Sequence, residues 1–261
     1  AALRAPAERL EQVADLVSSQ PLVTHNYQRE HALNLWFVIA GPHPSAVAAT
    51  LADIAHLSGF AVIDLPLVKA YHLDLGFPLA GPPRRRSPPL AVGDYAHSAR
   101  DRELLAAIED GIPLTPQPYR TVGQCLGLGE EEVIGSLQRM VTATVITRFG
   151  CVVRHRALGY GANAMAVWDV PDARVDAVAQ RFILSPHVTL CYRRPRRRPE
   201  WPYNLFCMVH AKTRAEARAV VADLNAVAGS GQYEQAVLFS TRCFKQRGAV
   251  FSDREGARDA A

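Results

Sequence analysis

The chain has 261 residues, 49% of them hydrophobic and 21% charged, enough for a substantial buried core and for two or three small domains. It contains no apolar run of about 18 residues and no basic stretch leading into an apolar one, so neither a membrane span nor a signal peptide is read and a cytoplasmic location is expected. Its five cysteines are widely spaced with no Cys-x-x-Cys, which argues for reduced thiols and against structural zinc, and its modest net charge of +4 is unevenly spread, with arginine concentrated at 84–86, 154–156 and 193–198 as candidate anion sites.

In chain order, the first segment with helical periodicity carries Leu10, Val13, Ala14 and Val17 at i, i+3, i+4, i+7 spacing. The stretch VTHNYQREH that follows reads as a strand, on which His25, Tyr27, Arg29 and His31 are spaced by two and share one face. GPPRRRSPPL at 81–90 reads as a linker. Beyond it, Asp101–Asp110, Pro118–Cys125 and Glu130–Met140 read as three helices, with a Leu-Gly-Leu-Gly turn at 126–129, and Val145–Val153 as a hairpin. This is a winged helix-turn-helix by spacing. The last third reads strand Ala162–Trp168, helix Ala173–Ile183, strands Val188–Arg193 and Tyr203–His210, helix Arg214–Ala228 and strand Gln235–Phe244.

That last third repeats the first. Pro6 matches Pro171; Leu10, Val13, Ala14 and Val17 match Val175, Val178, Ala179 and Phe182; and Pro21, Val23, Thr24 and Tyr27 match Pro186, Val188, Thr189 and Tyr192. After an insertion in the second copy, Asn34-Leu35 matches Asn204-Leu205, and Ala52-Asp53-Ile54 matches Ala222-Asp223-Leu224. The fold class is therefore α+β: two ferredoxin-like βαββαβ domains, 1–80 and 161–261, with a linker at 81–98 and a helix-turn-helix domain with hairpin at 99–160 between them. Two such sheets can pack face to face, so the copies are expected to pair as a pseudo-dimer, with further homo-oligomerisation open.

The segments RHRALGYGANAMAVWDVP (154–171), PHVTLCYRRPRRRPEWPYNLFCMVH (186–210), FSTRCFKQRGAVF (239–251) and VTHNYQREHALNLWFV (23–38) resemble the sirohaem decarboxylases. The resemblance implies ligand domains of Lrp/AsnC type and conversion of sirohaem to 12,18-didecarboxysirohaem by loss of two acetate carboxyl groups, in haem d1 or alternative haem biosynthesis. It implies no separate cofactor, because the substrate carries its own iron. The repeat also predicts a helix-turn-helix and hairpin ahead of the first copy; residue 1 is Ala, and such a module is expected to have been cleaved or left out.

The residue chemistry suits that substrate. A flat macrocycle fringed by carboxylates needs aromatic walls and a cationic rim, and arginine binds a carboxylate through two parallel hydrogen bonds. The candidate binding residues are Tyr27, Arg29, Arg154, Arg156, Tyr160, His187, Arg193, Arg194, Trp201 and Lys245. Loss of carbon dioxide leaves an electron pair that must be quenched by a proton, a task for histidine; His31, His155 and His25 are the candidate catalytic residues, any of which can alternatively ligate the iron. Leu190 stands where the first copy has His25, so one productive site per chain is expected, formed by the first copy's histidines and the second copy's hairpin. Phosphate loops, Ser-His-Asp order, paired-cysteine metal sites and dinucleotide fingerprints do not occur. Two rival readings are a DNA-binding regulator, disfavoured by Glu130, Glu131 and Glu132 at the head of the recognition helix, and a tetrapyrrole carrier or sensor without turnover.

Overall fold

A computed structural model describes residues 1–73, 95–146, 149–150, 159–229 and 231–248. The linker positions 81–94 and the hairpin positions 151–158, with Arg154, His155 and Arg156, lie outside them. Among the described residues no helix is long and apolar enough to cross a membrane. The two repeats, apart from residues 40–47, fall in one compact unit and the three central helices in a second.

The first copy runs β1 (Ala2–Leu3), a short 3-10 turn, α1 (Leu10–Ser19), β2 (Val23–Arg29), β3 (Leu35–Ile39), α2 (Pro44–Ser58) and β4 (Val62–Ile63), and is followed by β5 (Lys69–Leu73). The second runs β6 (Ala162–Trp168), α6 (Val175–Phe182), β7 (Val188–Arg193), β8 (Leu205–Ala211), α7 (Arg214–Ala228) and β9 (Gln235–Gln246). Strand order is β4-β1-β3-β2 in one copy and β9-β6-β8-β7 in the other, so both are ferredoxin-like antiparallel sheets. The expected boundaries move slightly: α6 starts two residues late because a turn precedes it, and β9 runs two residues past Phe244.

β9 joins the copies. Its first part, Gln235 to Phe239, completes the second sheet beside β6, and its remainder, Ser240 to Gln246, runs along β2 at the edge of the first sheet. β5 does the reciprocal thing, leaving the first copy to pair with β7 at the edge of the second. Each added strand is tied to the other copy's first helix at repeat-equivalent carboxylates. Arg242 pairs with Glu11 of α1, while Lys69 reaches Asp176 of α6 at 3.0 Å and the Tyr71 hydroxyl donates to the same carboxylate. Both copies also repeat one backbone clamp. The Asn34 amide pairs with both polar atoms of the Ala5 backbone at 2.9 and 2.8 Å, and Asn204 does the same with Val170 at 2.9 Å.

Three apolar cores result. One lies between α1, α2 and the first sheet around Val13, Val17, Leu35 and Phe37, and its counterpart lies under α6 and α7 around Trp168, Phe182, Cys207 and Val209. The third fills the space between the inner faces of the two sheets with Trp36, Met165, Trp201, Phe206, Met208 and Leu238.

In the helical unit α3 (Ala99–Ile108), α4 (Pro118–Leu126) and α5 (Glu130–Thr142) pack around Leu104, Val122, Val133, Leu137 and Met140. α3 begins two residues before expectation because Ser98 and Asp101 form a capping box. The α4–α5 turn depends on glycine twice: Gly127 has φ 66°, and a Cβ on Gly123 would lie 2.5 Å from the Leu128 carbonyl oxygen.

Candidate functional site

All strand pairings are antiparallel, so β2, β6 and β7 run one way and β3, β5, β8 and β9 the other. One end of the sheet therefore collects the starts of β2, β6 and β7 with the finishes of β3, β5, β8 and β9. At this end the inner face is open: Val38, opposite His25, is 44% exposed, and Leu73, opposite Leu190, is 48% exposed. His25 sits here with Gln246 as its β9 partner. Tyr160, which leads into β6, and the exposed His187, just before β7, lie at the same end.

The expected stripe on β2 is largely present. Val23 and the β3 residues Leu35 and Phe37 face the helices, and Asn26 bonds the Ala14 carbonyl and Ser18 hydroxyl of α1, which leaves His25, Tyr27 and Arg29 on the inner face. The His25 and Tyr27 rings stack with centroids 6.2 Å apart, and the Arg29 guanidinium lies 5.7 Å from the Tyr27 ring. His31 departs from the stripe. β2 ends at Arg29, and His31 occupies the β2–β3 turn at the opposite end, its ring edge-on to Trp201 at 5.4 Å.

Hydrogen bonds give the two histidines opposite tautomers. The Thr24 hydroxyl donates its one proton to the Val38 carbonyl, so at the 2.9 Å contact with His25 it must accept from Nδ1–H, and His25 Nε2 carries a lone pair. The Leu33 backbone N–H instead donates to His31 Nδ1 at 3.0 Å, so the His31 proton is on Nε2. Burial lowers the pKa of both; for His31 the nearby Arg4 guanidinium adds to it. Burial therefore biases both rings toward the neutral form.

Arg29 is a cation in an unusual setting. It is 7% exposed, donates to the Leu238 carbonyl at 3.2 Å and touches the Met208 sulfur at 3.9 Å, and no described acidic group pairs with it. Its Nε has no hydrogen-bond partner among the described residues, and burial pulls its pKa down to about 10 against the opposing influence of the Tyr192 and Tyr27 phenols.

The rest of the expected cationic rim is rearranged. Arg193 is bound to Asp172 at 2.7 Å, and Arg196 and Arg198 to Asp169, so most of the basic run is neutralised by carboxylates on the β6–α6 connection. Arg194 repeats Arg29: its guanidinium donates to the Leu65 carbonyl and lies 4.8 Å from the Tyr192 ring. Lys245 turns to the helix side and binds the Ser18 and Gln20 carbonyls at the end of α1, at 2.6 and 3.0 Å. Trp201, expected at a pocket edge, is fully buried against Trp36 at 4.8 Å and Tyr203 at 4.9 Å, because the second copy's longer β7–β8 connection folds it into the intersheet core.

Two inner-face residues escaped the sequence reading. His210 on β8 pairs with Asn163 on β6, whose Nδ2 is 3.1 Å from His210 Nε2, and His210 Nδ1 is 3.0 Å from the Thr189 hydroxyl. Thr189 in turn donates to the Met208 carbonyl as Thr24 does to Val38, so each copy holds one inner-face histidine on the equivalent threonine. The signal was the Thr24–Thr189 match, but the histidines stand at different positions. In the helical unit a cavity of about 420 Å³ is lined by Tyr95, Gly135, Gln138, Arg139, Thr142 and Ala143. Its one cation, Arg139, also bonds Ser136 within α5, which leaves little for a polyanionic macrocycle.

Comparison with known proteins bears on all of this. An AsnC-like ligand binding domain model matches residues 1–72 and 157–245, and a siroheme decarboxylase NirDL-like HTH domain model matches residues 101–146. The chain is 43% identical over 253 residues to the siroheme decarboxylase NirDL subunit of Paracoccus denitrificans, covering 97% of this chain and 78% of that one. It is 41% identical over 148 residues to the siroheme decarboxylase beta subunit of Methanosarcina barkeri, which matches 57% of this chain across 95% of its own length. Among solved structures, a siroheme decarboxylase NirDL in co-complex with an iron-uroporphyrin III analogue superposes with a TM-score of 0.68 at 26% identity, over 99% of this chain and 75% of that one.

Proposed function

The chain belongs to the sirohaem decarboxylase family, and from that premise we propose that it removes the carboxyl groups of two ring acetates of sirohaem, giving 12,18-didecarboxysirohaem for haem d1 or haem synthesis. The observation that carries this reading is the similarity to the Paracoccus enzyme subunit along 97% of the chain, with both ligand domains and the helical domain in place. The iron tetrapyrrole is substrate, and the chemistry asks the protein only to bind carboxylates, exclude water and supply a proton.

In each step the bond from the acetate methylene to the carboxyl carbon breaks, carbon dioxide leaves, the electron pair passes into the macrocycle, and a proton completes the methyl group. The open end of the inner face suits a flat ligand. From β2 across β9 and β6 to β8 it spans roughly 14 Å, with His25, Tyr27, Val38 and Leu73 as its walls. Neutral His25 is poised to respond to such a ligand: incoming carboxylates raise its pKa, so the imidazole gains a proton as the substrate docks and delivers it as carbon dioxide leaves. His155, close before β6 in the chain, is its proposed partner. His31, with Nδ1 tied to a backbone amide at the other end, suits holding the β2–β3 turn against Trp201. The helical domain is proposed as a non-reader of DNA, since α5 starts with Glu130, Glu131 and Glu132.

Anaerobic incubation with sirohaem, followed by mass spectrometry of the pigment, tests the reading. Loss of two carbon dioxide units is expected; a bound pigment of unchanged mass would replace the enzyme by a carrier.

A further inference from the structure

Resting on that reading, we propose that Arg29, Asn163 and His210 form a buried subsite for one acetate carboxyl group of the substrate. Among the buried polar atoms left over once the protein's own hydrogen bonds are assigned, two belong to polar side chains on the inner face, one on β2 and one on β6. Asn163, 7% exposed, uses Nδ2 on His210 and leaves Oδ1 without a partner among the described residues; Arg29, equally buried, leaves Nε–H without one. Burying either unpaired is costly, and a buried guanidinium without a carboxylate more so.

The register brings these groups to one region. Arg29 pairs with Ser240 of β9, and Ala164 pairs with the adjacent Phe239, so Asn163 follows Arg29 across the sheet with one strand between them. Ala162 and Ala164 belong to the helix-side core and Met165 to the intersheet core, which puts Asn163 on the inner face. His210 is directly opposite Asn163, and the Arg29 guanidinium reaches the sulfur of Met208, the preceding inner-face residue of β8. Two strand spacings, about 10 Å between the backbones, separate Arg29 from Asn163, with the buried Ser240 of β9 on the strand between them.

One acceptor and one donor complement a carboxyl group in either state. A protonated acid donates to Asn163 Oδ1 and accepts from Arg29 Nε. For a carboxylate the amide turns over, so that Nδ2 faces the ligand and Oδ1 accepts from His210 Nε2–H; the His210 proton moves to Nε2 and Thr189 then donates to Nδ1 instead of to the Met208 carbonyl. His210 thus acts through Asn163 as a positioning residue.

The test is absorbance titration of the full chain with iron-uroporphyrin III, which carries acetates and propionates, and with iron-coproporphyrin III, in which methyl groups replace the acetates. Asn163→Leu is expected to weaken iron-uroporphyrin III binding about tenfold and leave iron-coproporphyrin III binding unchanged, with His210→Gln weakening the former in the same direction. Asn163→Asp is the second variant, keeping size and polarity; its added charge is expected to repel iron-uroporphyrin III at neutral pH and to do so less as the pH falls. Wild-type affinity of all three variants for both porphyrins, or equal losses for both, overturns the subsite. A wild-type chain that binds neither porphyrin overturns the sirohaem reading and the subsite with it.

Discussion

The Thr24 hydroxyl has one proton, and giving it to the Val38 carbonyl determines which nitrogen of His25 carries the lone pair. Thr24→Val therefore removes the acceptor that holds the Nδ1–H tautomer, and turnover should fall several-fold while iron-uroporphyrin III binding holds; Thr24→Ser should restore it. Single-turnover rates beside binding titrations check both statements. Trp201→Ala should cost about 3–5 kcal/mol of stability, the range for a fully buried aromatic, measured as the denaturant midpoint and slope. At this scale the sequence was readable where a pattern is local. His25, Tyr27 and Arg29 showed their shared face through period-two spacing, and Asn34-Leu35 announced its clamp by recurring as Asn204-Leu205. It was unreadable where the partner is remote. Arg193 reads as a free cation until Asp172, 21 positions earlier, is brought to 2.7 Å of it. His210 matches Ala40 in the first copy, so a search by repetition passes over it.

At the level of elements, the helix-turn-helix was recognised from its spacing and from the Gly-rich turn, and its acid-headed α5 sets the expectation for DNA. Retention on duplex DNA should be weak and nearly independent of salt concentration; a steep loss of affinity with added salt would show that phosphates are contacted after all. Gly123→Ala should unfold this helical unit selectively, since the added Cβ meets backbone at 2.5 Å; loss of helical circular dichroism with the aromatic signal of the sheets retained is the expected result. The double role of β9 was not foreseen from the pattern. Its alternation ends where the partner changes, because the residues after Phe239 pack against a different copy and carry a register shift, so the periodicity that marks a strand breaks within a continuous one.

For the whole molecule, the neutral histidines make a pH statement. His25 and His31 have folded-state pKa values below the ordinary 6.5, so the unfolded chain binds more protons in acid, and stability is lost as the pH falls below 6.5 toward the folded values. Thermal midpoints at about pH 8 and about pH 5.5 should separate in the native chain and draw together in a His25→Gln, His31→Gln double variant. The exchanged strands carry a further consequence for how such a protein can be made. Since β5 finishes the second copy's sheet and β9 finishes the first's, the covalent tie between copies holds no strand in register. A chain nicked between β5 and α3 should remain one particle, as two polypeptides each lending the other a border strand. A front half produced alone would instead offer β2 as an open template for any passing strand, so the pieces should be soluble only when co-expressed. The relative from Methanosarcina, described as a subunit and matched over 148 residues that make up 95% of its length, is close in size to the rear piece.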